Sequence, residues 1–259
     1  MSRTVLITGG SSGIGLAMSR CFAARGDSIL WVARSEDELV AGRAAFGRDV
    51  PGLAVDLGEP GAADAVRAWT NAGGWTVDVL VNNAGFGTYG WLDSIEPDRE
   101  LAMLDLHVHG MYRLTRAYLG EMVERGSGGL LFVASASALQ PMPRFTTYAA
   151  SKAFVLQFSE SLHEEMRARG LPIAVTCVVP TATVGTGFQS ASGMAGVRTF
   201  RSYMAYGPDV VAAAAVAALD RNRPRVVPGR LAALLMWLQQ GSPPWLRRRL
   251  VARELDRLE

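Results

Sequence analysis

Val5-Leu6-Ile7, followed by Thr8-Gly9-Gly10-Ser11-Ser12-Gly13-Ile14-Gly15, is the stretch that decides the fold. Three consecutive apolar residues predict a short buried strand, and the glycine- and serine-rich run after them predicts a turn. A period near 3.6 then takes over through Leu16, Met18, Phe22 and Ala23 and stops at Gly26, which predicts a helix. Strand, glycine-rich turn and helix together let the backbone approach a pyrophosphate. The exposed N–H groups and dipole of the helix N-terminus favour its charge. The same glycines would also suit an ordinary strand-to-helix turn.

Outward from that stretch the alternation continues. Ser28–Val32 reads as a second strand ending in Ala33-Arg34-Ser35, and a helix is predicted from Glu36 to Phe46. Leu53–Val55 ends in Asp56-Leu57, and a helix from Ala62 to about Asn71 leads to Val77–Val81 and Asn82-Asn83-Ala84-Gly85. One long helix is expected from Asp98 to Arg125, with Leu101, Leu104, Val108, Met111, Leu114 and Leu119 at core spacing. Leu130–Val133 runs into Ala134-Ser135-Ala136-Ser137; a helix from Thr147 to Arg169 ends at Gly170, and Ile173–Val179 is a further buried strand. Strands that are continuous apolar runs, separated by helices, predict an α/β chain. Its parallel sheet is doubly wound, with helices on both faces. In such dinucleotide folds an acid at the end of the second strand bonds the adenosine ribose, whereas an Arg accommodates a 2′-phosphate. Ala33 stands where the acid would be and Arg34 follows, which favours NADP(H) over NAD; Arg34 would otherwise be a surface cap.

Tyr148-Ala149-Ala150-Ser151-Lys152 is where the chemistry is expected. Of the 26 Lys plus Arg residues, Lys152 alone is lysine. Residues at i and i+4 share one helix face, so Tyr148 and Lys152 lie side by side. A phenol ionises near pH 10, too high for efficient proton exchange at neutrality. An ammonium about 4 Å away, at an effective dielectric of 20, favours the phenolate by roughly 4 kcal/mol, or about three units. By itself Tyr-x-x-x-Lys is common, and a packed Tyr beside a solvated Lys is the ordinary explanation.

Bulk properties bound the rest. The 259 residues suit one large domain, and 49% hydrophobic against 19% charged excludes a disordered chain. The net charge of +2 does not point to nucleic acid, but nine Arg and three acids from Arg221 onward concentrate positive charge near the end. Two cysteines, Cys21 and Cys177, suggest reduced, buried thiols. With no signal-like start and no apolar run of eighteen or so residues, a cytoplasmic location is expected.

In this order and spacing the motifs resemble those of the short-chain dehydrogenase/reductase family, over about Arg3 to Gly229. Thr8-Gly9 through Gly15 is similar to its cofactor turn, Asn82-Asn83-Ala84-Gly85 to its fourth-strand signature, and Tyr148 with Lys152 to its catalytic pair. The resemblance implies a catalytic Ser thirteen residues before the Tyr, which selects Ser135 over Ser137. It implies Gly9, Ser11, Ser12, Gly13, Ile14 and Gly15 around the cofactor phosphates, Arg34 at the 2′-phosphate, and Asp56 and Leu57 at the adenine. Asn83, Ala84 and Gly85 would lie along the cofactor, with Tyr148, Lys152, Thr181 and Thr183 at its nicotinamide end. No metal is expected. The implied activity is NADPH-dependent interconversion of a carbonyl and an alcohol.

Two departures from the family pattern stand out. In Asp105-Leu106-His107-Val108, His107 occupies the place of an Asn that the family associates with a helix kink and a proton-passing water. His107 is therefore a candidate for the catalytic set; if it titrates there, it would put a limb between about pH 5.5 and 7.5 in the pH–rate profile. It would otherwise fill space. Val178-Val179 stands where Pro-Gly is common, before Pro180-Thr181-Ala182-Thr183. These departures keep open a non-redox enzyme on the same scaffold (isomerase, dehydratase or cyclase), and an NADP-sensing binding protein is a third class.

Residues 184–206 lose periodicity and are expected to form a substrate lid, with Phe188, Met194, Phe200, Tyr203 and Met204. With Phe86, Tyr89, Trp91, Met142 and Phe145 they would line a mainly apolar pocket for a hydrophobic small molecule, or serve as ordinary core. Residues 1–230 are expected to be the catalytic domain, including a helix Pro208–Leu219 and a strand Arg225–Val227. Residues 231–259, with Leu231–Leu238, Trp237, Trp245 and Arg247-Arg248-Arg249, form an apolar and basic helical tail. Such a tail would pack on the domain or on a second subunit of a homo-oligomer in preference to a membrane surface.

Overall fold

The computed structural model describes residues 2–194, 197 and 205–243. Seven parallel strands, β1 (Thr4–Thr8), β2 (Ser28–Ala33), β3 (Gly52–Ala54), β4 (Val79–Asn82), β5 (Gly128–Val133), β6 (Ile173–Val178) and β7 (Arg225–Val226), lie in the order β3-β2-β1-β4-β5-β6-β7. The direction of winding reverses between β1 and β4, so their C-terminal ends diverge into a crevice where such folds bind ligands.

Period-two alternation within each strand explains why both faces are covered. Leu6, Leu30, Val32, Leu80 and Leu130 join one core cluster, while Val5, Ile7, Ile29, Trp31 and Val81 join the other. On the second face pack α1 (Gly13–Ala23), through Leu16 and Phe22, and α8 (Pro208–Asp220), through Val211 and Ala215; α2 (Glu36–Phe46) adds Leu39. On the first face lie α3 (Ala62–Ala72), α5 (Met111–Arg125) and α6 (Thr146–Ala168), with Val66, Leu114 and Leu156 turned inward. Trp31 is fully buried, and its Nε1 donates to Ser19 Oγ at 2.8 Å, so the indole leaves no unpaired donor.

The helix expected over Asp98–Arg125 is not uniform. It consists of α4 (Pro97–Leu104), a π-helical segment Asp105–Gly110, and α5. A π turn widens the helix locally and re-aims a side chain, a distortion common near functional sites. Here it turns His107 inward, while His109 stays exposed beside Asp105 at 2.8 Å. Periodicity alone cannot register this inserted widening, because the apolar spacing on either side remains helical.

Beyond β6 the chain forms a short helix, α7 (Phe188–Ala191), inside the expected lid, and Thr183 bridges to Tyr206. Phe200, Tyr203 and Met204 lie outside the described residues. α9 (Arg230–Gln240) buries Ala232 and Met236 but exposes Leu231, Leu234, Trp237 and Leu238. Trp245 and Arg247-Arg248-Arg249 also lie outside the described residues. Cys177 is buried and free; Cys21, expected buried, is only half so. Among the described residues no helix is long and apolar enough to cross a membrane.

Candidate active site

The crevice above β1 and β4 is held open by a small polar hub. Thr8 Oγ1 donates to Val81 O at 3.1 Å and accepts from the backbone N–H groups of Asn83 and Ala84 at 2.9 and 3.0 Å. Asn83 Nδ2 returns to Thr8 O at 2.8 Å and Gly9 O at 3.2 Å. These bonds tie the two diverging strand ends together, so Asn83 shapes the cleft through its side chain.

A cavity of about 860 Å³ runs through the crevice. Its walls include Gly9, Ser11, Ser12, Gly13 and Ile14 at the N-terminus of α1, and Arg34, Asp56 and Leu57 at one end. Asn83, Ala84, Gly85, Ser135, Tyr148, Lys152, Thr181 and Thr183 line the other. Gly15, assigned to the phosphates with its neighbours, does not line the cavity. A Cβ there would sit 2.1 Å from Gly9 O, so this glycine serves the close packing of turn on helix. Ser12 precedes α1 without a side-chain cap, so the helix offers its first-turn N–H groups to the cleft. That and the glycine backbone fit an anionic ligand. At the far end Arg34 Nη2 lies 2.6 Å from Glu38 Oε1, and Glu38 lines the cavity too. Sequence inspection missed Glu38, although its i+4 spacing from Arg34 signals the pair.

Tyr148 is buried at the end of β5. Phe145 stacks on its ring, and Phe188 of α7 lies 5.5 Å away between centroids. Burial pushes the phenol pKa above its usual value, and a hydrogen bond with the Ser135 hydroxyl pulls it the other way. This corrects the expectation that a nearby cation governs the phenol: burial is the larger influence, and the Ser135 hydrogen bond rather than the Lys152 charge opposes it. Lys152 donates to Val133 O at 3.1 Å, and burial lowers its own pKa to about 8. Ser137 Oγ, by contrast, is buried without a hydrogen-bond partner among the described residues, and its N–H caps Ser135 Oγ at 3.2 Å.

His107 does not line the large cavity. Its Nδ1 lies 2.9 Å from Ser151 Oγ, and burial followed by the nearby Lys152 charge holds its pKa well below 6.5. Burial disfavours the charged ring, and this direction speaks against the expected limb between pH 5.5 and 7.5. Ser151, the partner, stood unnoticed inside the Tyr–Lys stretch. Phe86, Met142, Phe145, Phe188 and Met194 line the cavity as expected. Tyr89 and Trp91 do not, and Trp91 instead lies exposed under the Arg144 guanidinium at 4.7 Å.

Comparison with known proteins places this geometry among relatives. The family described as short chain dehydrogenase matches residues 3–195. A short chain dehydrogenase of Pseudocercospora fijiensis is 38% identical over 178 residues, 65% of this chain and 56% of that protein. The very-long-chain 3-oxoacyl-CoA reductase of Mus musculus is 35% identical over 68% of this chain and 57% of its own length. The chain thus spans little more than half the length of these two relatives. A short-chain dehydrogenase from Sphingobium yanoikuyae, solved in complex with NADPH, superposes with a TM-score of 0.78 at 29% identity. That match covers 96% of this chain and 95% of that one.

Proposed function

The chain belongs to the short-chain dehydrogenase family, and from that premise we propose that it is an NADPH-dependent oxidoreductase interconverting a carbonyl and an alcohol on a mainly hydrophobic small molecule. The observation that carries this reading is the meeting of Ser135, Tyr148 and Lys152 in one cavity with the glycine turn. When bound, the nicotinamide cofactor supplies the hydride. Gly9, Ser11, Ser12, Gly13 and Ile14 would hold its phosphates, with Arg34 at the 2′-phosphate.

The protein's own part is protonic and steric. Ser135 holds the substrate oxygen by a hydrogen bond and lowers the phenol pKa, countering the burial that raises it. Tyr148 then delivers its proton to the developing alkoxide, whose higher basicity makes a buried phenol a competent donor. Lys152 supplies positive charge beneath both groups. Phe86, Met142, Phe145, Phe188 and Met194 exclude water and select apolar substituents. The non-redox alternative rested on His107 and on Val178-Val179 in place of Pro-Gly; of these, His107 lies outside the lining of this cavity.

Purified protein incubated with NADPH or NADH and a panel of hydrophobic ketones and aldehydes, followed by cofactor absorbance, tests the proposal. Ketone-dependent oxidation of NADPH, with NADH much poorer, is expected. No oxidation of either cofactor across the panel would remove it.

A further inference from the structure

The charges that line the large cavity are sorted between its two ends. Glu38 pairs with Arg34 at 2.6 Å, and Glu59 donates its backbone N–H to Asp56 O at 3.1 Å. Asp56 and Asp105 meet around Gly58, whose Cβ would sit 3.3 Å from Asp56 Oδ1 and 3.7 Å from Asp105 Cβ. The acids among the described lining residues, Glu38, Asp56, Glu59 and Asp105, thus all belong to the Arg34 end. Toward Tyr148 the lining cations are Lys152, which is buried, and Arg99 of α4, which is exposed.

Arg99 is tied to the short helix that covers the phenol. Its Nη2 donates at 2.5 Å to Ala191 O, the last carbonyl of α7. One turn back along α7 is Phe188, whose ring centroid lies 5.5 Å from that of Tyr148. A guanidinium has N–H donors to spare beyond this one bond. Among the described residues no carboxylate pairs with it. Holding α7 takes a single donor, which an uncharged amide would supply. A permanent charge without a counter-charge, on the wall of a mainly apolar pocket, is complementary to an anion.

We propose that Arg99 receives an anionic group at the far end of the substrate. The substrate class is then a hydrophobic oxo acid, with carbonyl and carboxylate held apart by an apolar chain. The carbonyl sits against Ser135 and Tyr148. One helical turn from Phe188 to Ala191 is about 5 Å, which with the ring spacing puts the guanidinium on the order of 10 Å from the phenol. A carboxylate next to the carbonyl does not span that gap; an apolar chain lying against Met142, Phe145, Phe188 and Met194 does. The planar guanidinium meets a carboxylate through two parallel N–H bonds. Because the same side chain holds Ala191 O, the anion and the position of α7 are joined at one residue. The carbonyl end of this inference rests on the reductase reading, and the anion end stands apart from it.

Octanoate and octanol share one chain and carry no ketone, so their binding to the full-length protein, read by isothermal titration, reports the anion site without turnover. Octanoate is expected to bind about tenfold tighter than octanol. Arg99→Gln keeps an N–H for Ala191 O and removes the charge. It should erase that preference and change octanol binding by less than about twofold. Arg99→Lys, which keeps a charge but not the fork, should retain a preference of about threefold. With NADPH, an oxo acid whose ketone lies at the far end from its carboxylate should exceed its methyl ester by about tenfold in kcat/KM, through KM. No measurable octanoate binding, equal affinity for the two ligands, or a preference that survives Arg99→Gln overturns the proposal. Equal loss of both ligands in the Gln variant also overturns it, because Arg99 would then only anchor α7. An octanoate preference that depends on Arg99, without reduction of any ketone, would leave the anion site standing and remove the reductase reading alone.

Discussion

Phe145 and Tyr148 stack face to face, with ring centroids 4.1 Å apart and planes 22° from parallel. The stack seals one side of the phenol from water, and burial of this kind is the largest influence on its pKa. The proton of Tyr148 is thus held tightly until a stronger base forms beside it. A developing alkoxide is such a base; bulk hydroxide near neutrality is too dilute to compete.

Tyr148→Phe removes the transferable proton and keeps the ring that packs between Phe145 and Phe188. Turnover is expected to fall by about two to three orders of magnitude. The dissociation constant for NADPH, read by fluorescence titration, should move by less than about threefold. Undiminished turnover would take the proton donor away from this residue.

At the adenosine end, Arg34 and Glu38 compete for one role. Arg34→Ala should weaken NADPH by about tenfold or more and leave NADH nearly unchanged, because a charged hydrogen bond to phosphate is lost. Glu38→Gln frees the guanidinium from its exposed ion pair and should tighten NADPH by about two- to fivefold. Isothermal titration with both cofactors checks the pair. A loss of NADPH affinity in the Glu38 variant would show instead that the carboxylate positions Arg34.

Gly85 has a neighbour on its Cβ side that no sequence motif announces. A methyl group there would meet His107 Nε2 at 2.5 Å and Lys152 Nζ at 3.3 Å, so one of them must move. Gly85→Ala should keep a folded protein by circular dichroism and lose activity by about tenfold or more. Wild-type activity in a folded Gly85→Ala protein would show that neither nitrogen is held tightly.

Stability should rise with pH across two windows. The pKa of His107 is lowered in the folded chain, so between that value and 6.5 the unfolded chain binds the extra proton, and stability falls as pH drops through this window. Lys152 is likewise lowered, to about 8 from 10.5. The unfolded chain binds the extra proton between those values, and stability rises as pH climbs from 8, by up to about 3 kcal/mol from this group. Urea unfolding of the unsubstituted protein and His107→Asn at pH 5 and 7.5 isolates the first effect. The variant should lose less stability on acidification, and equal losses would mean that His107 is not held neutral.

Ending the chain after Gly229 removes α9, whose Ala232 and Met236 are buried while Leu231, Leu234, Trp237 and Leu238 face outward. Losing the buried Met236 side chain alone should lower the unfolding free energy by about 1.5–3 kcal/mol. Denaturant titration measures it, and an unchanged midpoint would mean that α9 contributes no packing.

The sequence by itself determined the sheet-and-helix alternation, the parallel sheet, the glycine turn after its first strand and the family. These rest on local information: apolar runs, helical periods and turn residues act within a few positions of one another. Strand ends fell within about two residues of those read from the chain, the usual slack of such boundaries. Ser135 was selected over Ser137 by the family's interval of thirteen residues before the Tyr, and the structure puts Ser135 against Tyr148. Only the tertiary structure decided the electrostatics of the site. The pairing of His107 with Ser151 joins residues 44 positions apart. It exists because a π turn and a neighbouring helix bring them together, and neither leaves a mark in the apolar spacing. The same holds for Lys152, whose charge looked like the dominant influence on Tyr148 when only its i+4 spacing was known. Burial on packing outweighed that spacing, because removing water from a charge or a phenol depends on every segment around it.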